Sequence, residues 1–486
     1  MILKELLHNV NLLETIGSTD LEISSVQFDS RKVEQDSLFV AQSGTQVDGH
    51  DFIEKSIQSG AIAVVCEKKP ENLASNITYL IVENSAVALG FIASNLYGNP
   101  TGQLKLIGIT GTNGKTTTAT LTYNLLESLG YASILVSTIR ILVHGKEYPS
   151  SHTTPDILTL NKIFSEAVEA GCEYAVMEVS SHGIHQNRIK GLSFEIGVFT
   201  NITHDHLDYH KTFAEYIKAK KKFFDELPKA AKALTNIDDK NGIVMLQNSA
   251  AKRYSYALKT DADFKAKILE NQFSGMLLLL DGKEFWTPLI GQFNAYNLLA
   301  VYSIANLLDF EQEEILTHLS KLKNVDGRFQ SMITEEGIIA IVDYAHTPDA
   351  LENVLNTIQN IRTRNEKLIT VVGCGGDRDK TKRPEMAKIA SKESDLAIFT
   401  SDNPRTEDPE MILAEMEAGV EPQNFKKTLK ITDRREAIKT ALKIAEKNDI
   451  ILIAGKGHET YQEINGVKHH FDDMETTIEL SNQLNK

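Results

Sequence analysis

Six consecutive residues, Gly111-Thr112-Asn113-Gly114-Lys115-Thr116, have the composition of a loop that wraps nucleotide phosphates. Glycines at a strand-to-helix turn let backbone N–H groups converge on phosphate oxygens, and the following helix adds a favourable dipole. In such a loop Lys115 neutralises the β- and γ-phosphates of a nucleoside triphosphate, and Thr116, followed by Thr117, puts a hydroxyl on Mg²⁺. The spacing departs from the common phosphate loop, which would place a glycine at position 109. The chain has Ile109 there, and its glycines are Gly108, Gly111 and Gly114.

Mg²⁺ takes oxygen ligands, so a carboxylate from another strand end is expected beside the loop. Glu178 closes the apolar run Tyr174-Ala175-Val176-Met177 and is placed for this; the alternative is a strand-end carboxylate facing water. The cluster Thr203-His204-Asp205-His206-Leu207-Asp208 follows another strand candidate and offers a second metal site. Between Phe213 and Phe224 stand Lys218, Lys220, Lys221 and Lys222. At about 100° per residue, Lys220 falls within the arc of Phe213, Tyr216, Ile217, Phe223 and Phe224, while the other three point away. A buried lysine has a lowered pKa and can take up CO₂ to become an anionic carbamate, a metal ligand. Snorkelling or a buried ion pair fits the same pattern.

The elements that must hold these groups read as α/β. Leu104 to Ile109, Ala132 to Ser137, Tyr174 to Glu178 and Glu195 to Thr200 are strand candidates, and Thr116 to Leu129 has helical spacing. Upstream, strand-like Leu38 to Ala41, Ala61 to Cys66 and Tyr79 to Val82 end at a linker-like Gly98-Asn99-Pro100-Thr101-Gly102. Downstream, Ile338 to Asp343, Leu368 to Gly373, Leu396 to Thr400 and Ile450 to Ala454 alternate with helix-length segments. That alternation predicts a parallel sheet covered on both faces, with ligands at the carboxyl ends of its strands. Polar clusters follow all four: Tyr344 to Pro348, Gly375 to Arg378, Asp402 to Arg405 and Gly455 to Glu459. The 486 residues are too many for one core, and three domains are expected, 1–100, 101–329 and 330–486.

A net charge of -15 argues against general nucleic-acid or anionic-membrane binding. Apolar runs such as Met276 to Leu280 are short of the roughly 20 residues of a membrane helix and read as buried strands. Cys66, Cys172 and Cys374 lack disulfide or zinc-ligand spacing, which fits a reducing cytoplasm, and the start shows no signal-peptide pattern.

Together these residues resemble the Mur ligases, ATP-dependent enzymes that build the peptide of cell-wall precursors. The resemblance covers nearly the whole chain. It rests on Gly108 to Thr117, Glu178-Val179-Ser180-Ser181-His182-Gly183, Asn201 to Asp208, Gly291 to Asn297, Asp326-Gly327-Arg328-Phe329 and Asp343 to Pro348. The unusual glycine spacing is the one this family uses. The fold it implies is an N-terminal α/β UDP-binding domain, a central P-loop ATPase-like α/β domain and a C-terminal Rossmann-like doubly wound domain.

Asp29-Ser30-Arg31-Lys32-Val33, His152-Thr153-Thr154-Pro155-Asp156 and Gly375-Gly376-Asp377-Arg378-Asp379 resemble the member that adds a third amino acid to UDP-N-acetylmuramoyl-L-alanyl-D-glutamate. The resemblance implies UDP contacts from Ser30 and substrate contacts from Thr153, Thr154, Ser180, Gln186 and Arg188. It also implies two Mg²⁺ sites, one on Thr116 and Glu178, the other on His206 and a carbamylated Lys220. Asn294 is assigned to the adenine, and Arg328 and Asp343 to phosphate and ribose, with domain closure completing the site. Catalysis is expected from Lys115, Glu178, His206 and Lys220, in a monomer.

The incoming amine can be argued physically. meso-Diaminopimelate carries a carboxylate at its far end and L-lysine does not, and a planar guanidinium matches a carboxylate in two places. Arg405 in Asp402-Asn403-Pro404-Arg405 supplies it, with Arg378 as a second, Glu459 as acceptor for the distal ammonium and Gly455 nearby. The same motif in the family belongs to diaminopimelate-adding members. L-Lysine addition, a folylpolyglutamate synthase-type ligase and a nucleotide-switch binding protein are the alternatives.

Overall fold

The computed structural model describes the chain except Thr45, Gln46, Ser151, His204 and His206, and the side chains of Leu207 and Asp208. The expected α/β architecture is present. By internal contacts the chain divides into two compact units, Met1–Ile202 with His206–Tyr256, and Thr203–Asp205 with Ala257–Lys486.

The first unit opens with strands β1 (Leu12–Ile16), β2 (Ser25–Gln27), β3 (Ser37–Val40), β4 (Ala61–Cys66) and β5 (Thr78–Val82). They form a sheet of order β1-β5-β4-β3-β2, parallel except for β1. Its second sheet comprises β6 (Lys105–Thr110), β7 (Ser133–Val136), β8 (Ile141–Val143), β9 (Lys146–Tyr148), β10 (Tyr174–Glu178), β11 (Phe194–Phe199), β12 (Lys232–Asn236) and β13 (Lys252–Ala257). Within the unit their order is β13-β12-β11-β6-β10-β7-β8-β9, and the first six run parallel. The two sheets share one apolar core, from Val40 and Ala63 through Ala88, Leu89 and Ile92 to Ile134 and Met177. Gly90 makes the close approach possible, since a Cβ there would lie 2.4 Å from the Lys190 carbonyl oxygen. Backbone contact at that distance leaves no room for even a methyl group.

The second unit carries an antiparallel meander, β14 (Phe264–Gln272), β15 (Gly275–Leu280) and β16 (Lys283–Thr287). Its main sheet comprises β17 (Gln330–Ile333), β18 (Ile339–Asp343), β19 (Leu368–Val372), β20 (Leu396–Phe399), β21 (Thr428–Lys430) and β22 (Ile450–Ala454), in the order β17-β18-β22-β19-β20-β21. Only the β17–β18 pair is antiparallel. A small hairpin follows, β23 (Tyr461–Ile464) and β24 (Val467–His470).

Alternation along the strands explains the two covering layers, because successive side chains point to opposite faces. Ile450, Leu452 and Ala454 pack with Leu351, Met386 and Leu413 of the helices on one side. Ile451 and Ile453 pack with Ile438, Leu442 and Leu480 on the other. Burial on both faces accounts for the continuous apolar runs read in the sequence. No described helix is long and apolar enough to cross a membrane.

Candidate functional site

In the first unit β6 runs into the glycine loop and then into the helix Lys115–Ser128. Gly114 is the residue before that helix and has φ +85°, a left-handed backbone that favours glycine and leaves the helix start without a side-chain cap. Gly111 has no room for a side chain, since a Cβ would lie 1.9 Å from Thr200 Oγ1. The end of β11 braces the loop. The Asn201 carbonyl accepts from Thr112 N at 2.8 Å and Asn201 Oδ1 from Asn113 N at 2.9 Å, while Thr200 Oγ1 donates to the Asn113 carbonyl at 2.7 Å. A helix N-terminus held in this way is an anion seat. Lys115 folds back over it, with Nζ 2.9 Å from the Gly111 carbonyl and 2.8 Å from that of Thr112.

Glu178 ends β10, beside β6 in parallel register, and is fully buried. Thr116 Oγ1 lies 3.0 Å from its Oε2, Thr138 N donates to Oε1 at 2.7 Å, and Thr138 Oγ1 is 3.2 Å from Oε2. A buried carboxylate with hydroxyls around it is a donor set suited to Mg²⁺, which binds oxygen. Thr153 Oγ1 sits 3.0 Å from Thr138 Oγ1. Thr154 donates to the Glu178 carbonyl at 2.9 Å and accepts from Ser180 N at 3.0 Å, and Arg188 donates to the Thr154 carbonyl at 2.9 Å and to Gln186 Oε1 at 2.6 Å. Thr153, Thr154, Ser180, Gln186 and Arg188 therefore gather at the strand end that carries Glu178.

Lys220 is 1 % exposed, whereas the Lys218 side chain is 77 % exposed, so the helical arc does turn Lys220 inward. Its Nζ donates to the Gly111 carbonyl at 2.8 Å and stands 4.7 Å from the centre of the Tyr216 ring. Packing holds position 108 to glycine. Gly108 pairs with Gly197 across β6 and β11, and a Cβ on Gly108 would lie 2.6 Å from the Phe194 ring and 2.8 Å from that of Phe223. Two adjacent glycines make room for Phe223, which seats the helix Phe213–Asp225 and with it Lys220. His206, the other expected ligand, lies outside the described residues. Ser30 is half-buried in the short helical turn Ser30–Lys32 between β2 and β3, capped by Asp29, and joins none of the described contacts around Glu178. The Arg31 guanidinium bonded to Asp29 holds that carboxyl down to about 2.

In the second unit Asn294 is buried in the first turn of the helix Gln292–Leu307. Its Nδ2 donates to the Ile290 carbonyl at 2.8 Å. Asp343 ends β18 and accepts from Phe329 N at 2.7 Å, while the Arg328 guanidinium lies 4.7 Å from the centre of the Tyr344 ring. Burial pushes the Asp343 carboxyl up to about 6 from its ordinary 3.8, with the Arg328 charge working against that rise. A native pKa above the unfolded one gives stability that is full below about pH 4 and lost as pH rises through about 6. Asp343→Asn should therefore flatten the fall in Tm across that window, measured by thermal melts at stepped pH. An unchanged slope would remove Asp343 as its source.

The ends of β20 and β22 bring Asp402, Asn403, Gly455 and Glu459 together. Asn403 Nδ2 donates to Glu459 Oε2 at 2.7 Å, and a Cβ on Gly455 would lie 2.7 Å from Asp402 Oδ2. At their centre is Lys456, fully buried, with Nζ 3.2 Å from Asn403 Oδ1, 3.3 Å from Glu459 and 3.9 Å from Asp402. Pro404 leads into Arg405, whose φ is +52°, an uncommon conformation for a residue with a side chain. The β23–β24 hairpin pins its backbone: Arg405 N donates to the Glu463 carbonyl at 3.0 Å, and Asn465 N to the Arg405 carbonyl at 2.7 Å. Arg405 Nη1 donates to the Gly376 carbonyl at 2.7 Å and Nε is 3.5 Å from Glu463. Arg378 is exposed on the neighbouring loop.

Lys456 and Thr138 are site residues that the sequence marks only weakly: Lys456 stands among the glycines of the Gly455 to Glu459 cluster, and Thr138 follows β7, a strand end where a ligand-facing side chain is expected.

Family comparison matches residues 22–97 to "Mur ligase family, catalytic domain", 109–305 to "Mur ligase middle domain" and 327–457 to "Mur ligase, glutamate ligase domain". The chain is 54% identical over 487 residues to a UDP-N-acetylmuramoyl-L-alanyl-D-glutamate--2,6-diaminopimelate ligase of Cytophaga hutchinsonii, covering 100% of both. It is 53% identical over 482 residues to the protein of that name in Bacteroides thetaiotaomicron, covering 99% of this chain and 100% of the relative. A solved structure of a ligase with the same name aligns with a TM-score of 0.73 at 33% identity, covering 100% of this chain and 99% of the other.

Proposed function

The chain belongs to the Mur ligase family, and from that premise we propose that it joins meso-2,6-diaminopimelate to the D-glutamate γ-carboxylate of UDP-N-acetylmuramoyl-L-alanyl-D-glutamate, with ATP converted to ADP and phosphate. The product is a tripeptide precursor of peptidoglycan. The observation that carries the choice of amine is Arg405, pinned by its backbone beside the Asn403–Glu459–Lys456 cluster.

In this reading residues 1–100 hold the UDP sugar, 101–329 the ATP and 330–486 the amino acid. A γ-carboxylate oxygen attacks the γ-phosphorus, the bond to the β–γ bridging oxygen breaks, and ADP leaves. The amine nitrogen then attacks the acyl carbon, phosphate departs with the former carboxylate oxygen, and the nitrogen loses its proton. The protein contributes chiefly position and charge. The braced loop and Lys115 hold the phosphates, while Thr153, Thr154, Ser180, Gln186 and Arg188 orient the glutamyl carboxylate. Asn294 supports the adenine pocket, Arg328 and Asp343 the phosphate and ribose, and Ser30 the uridine end.

Thr116 and Glu178 would hold one Mg²⁺, and Lys220, as a carbamate, would hold a second with His206; the ions would supply neutralisation of phosphate charge. Lys220 is 1 % exposed, and its Nζ stands on the Gly111 carbonyl of the phosphate loop, which is where a carbamate would meet the metal. The reaction is placed in the cytoplasm, in a monomer.

Phosphate release, measured with the UDP-linked dipeptide and each amine in turn, tests the reading. Release only with meso-diaminopimelate is expected. Equal turnover with L-lysine would sink the choice of amine. Release without any acceptor would point to a nucleotide switch, and release with a folyl-glutamate acceptor to a folylpolyglutamate-type ligase. Arg405→Ala should raise KM for diaminopimelate about ten- to a hundredfold at little cost in KM for ATP, as loss of a charge-assisted carboxylate contact does. Unchanged KM would remove Arg405 from the amine site.

A further inference from the structure

Arg383, in the first turn of the helix Lys382–Glu393, is wholly buried. Burying a guanidinium is costly, and a well-packed apolar side chain often serves stability as well. What it holds therefore calls for a reason. Its Nη1 and Nη2 donate to the two oxygens of Glu407 at 3.0 and 2.9 Å, Nη1 also reaches Glu415 at 2.6 Å, and Nη2 donates to the Gly375 carbonyl at 3.1 Å. Its Nε is buried with no hydrogen-bond acceptor among the described residues, a cost the other contacts must offset.

Apart from Glu415, in the helix Pro409–Glu417, these partners belong to the two loops assigned to the amine. Glu407 Oε1 accepts from Asp377 N at 2.6 Å, and the Asp377 carboxylate accepts from Thr406 Oγ1 at 2.8 Å. Gly376 N donates to the Asn403 carbonyl at 2.9 Å, and the Gly376 carbonyl takes the bond from Arg405 Nη1. The loops touch so closely that a Cβ on Gly376 would lie 1.9 Å from the Pro404 carbonyl oxygen. The Arg383 bond also holds the Glu407 carboxyl down to about 2, so Glu407 is charged throughout the range in which a ligase works. Arg383 is thus one side chain that grips both loops at once, through the Gly375 carbonyl just before Gly376 and the Glu407 carboxylate just after Arg405 and Thr406.

We propose that Arg383, acting through Glu407, is a positioning residue for amine selection: it locks the Gly375–Asp377 loop to the Pro404–Glu407 loop and so aims the Arg405 guanidinium. The proposal rests on the reading of Arg405 as the partner of the distal carboxylate. Apolar packing alone would not need a donor to each loop, and a planar five-donor fork is the side chain that can supply both.

The test is a kinetic cycle on the full-length enzyme. Arg383→Met should raise KM for meso-diaminopimelate about ten- to a hundredfold through misplacement of the fork, while KM for ATP and for the UDP-linked dipeptide stays within about twofold. In an Arg405→Ala background the same substitution should change KM for diaminopimelate no further, because the group it aims is gone. Effects that multiply in the two backgrounds, or equal losses for all three substrates, would overturn the proposal in favour of a purely structural arginine. Glu407→Gln keeps the shape and removes the charge, and it should give the same single-substrate rise; it carries the test if Arg383→Met does not fold. If Arg405→Ala itself leaves KM unchanged, the amine reading fails and the proposal with it. If Arg405→Ala behaves as expected and the Arg383 and Glu407 variants do not, the clamp alone fails.

Discussion

Glu178→Gln should lower kcat by roughly 10²–10³-fold, the usual effect of removing one preorganised electrostatic contact from a transferring group. The prediction follows from what surrounds the carboxylate. One oxygen accepts from a backbone N–H, Thr138 N, and the other faces the hydroxyls of Thr116 and Thr138. A glutamine can keep its carbonyl on Thr138 N and turn its NH₂ toward two hydroxyls that are able to accept. The fold should therefore survive while the charge is lost. The measurement is steady-state turnover against Mg²⁺ concentration, alongside a thermal melt. A rightward shift in the Mg²⁺ requirement with little change in Tm is expected. Full activity with the original Mg²⁺ dependence would exclude Glu178 from the metal site.

Lys220→Ala should lose about 10³-fold or more in turnover, since it removes both a proposed anionic ligand and the donor to the Gly111 carbonyl. The substitution leaves a hole beside the phosphate loop, where a short carboxylate can stand in for the carbamate. Added short carboxylic acid with high bicarbonate should partly restore activity. Lys220→Arg separates the two roles, because a guanidinium stays charged and keeps a donor near Gly111 yet forms no carbamate. It should be inactive and beyond rescue. Wild-type enzyme given isotope-labelled bicarbonate should show a carbamate carbonyl resonance that the variants lack. Full activity of Lys220→Ala, or of Lys220→Arg, would remove the carbamate from the mechanism.

Much of the scaffold was legible because its signals are local. Tyr174 to Glu178 is β10 to the residue, and Ile450 to Ala454 is β22, since strands buried on both faces leave a nearly continuous apolar stretch. The inward turn of Lys220 was legible because helical periodicity is a property of one segment. The β8–β9 hairpin and most of the β14–β16 meander were not. β9 buries no residue and β14 only Ala266, so neither leaves an apolar signature, and only Met276 to Leu280 is apolar enough to stand out.

The sequence by itself determined the chemical inventory: a phosphate-binding loop, a carboxylate at a strand end, a lysine on an apolar helix face and an arginine suited to a carboxylate. These follow from residue type and spacing within single elements. Only the tertiary structure decided which of them meet. Thr116 and Glu178 are brought to 3.0 Å by the parallel pairing of β6 with β10, and Lys456 becomes the centre of the Asn403–Glu459 cluster because β20 and β22 end at the same edge. Arg383 bridges two loops that nothing in its own helix announces. Hydrophobic periodicity reports which way a side chain faces along one element, whereas hydrogen bonds between distant strand ends depend on sheet order and register, and those are set by packing of the whole chain.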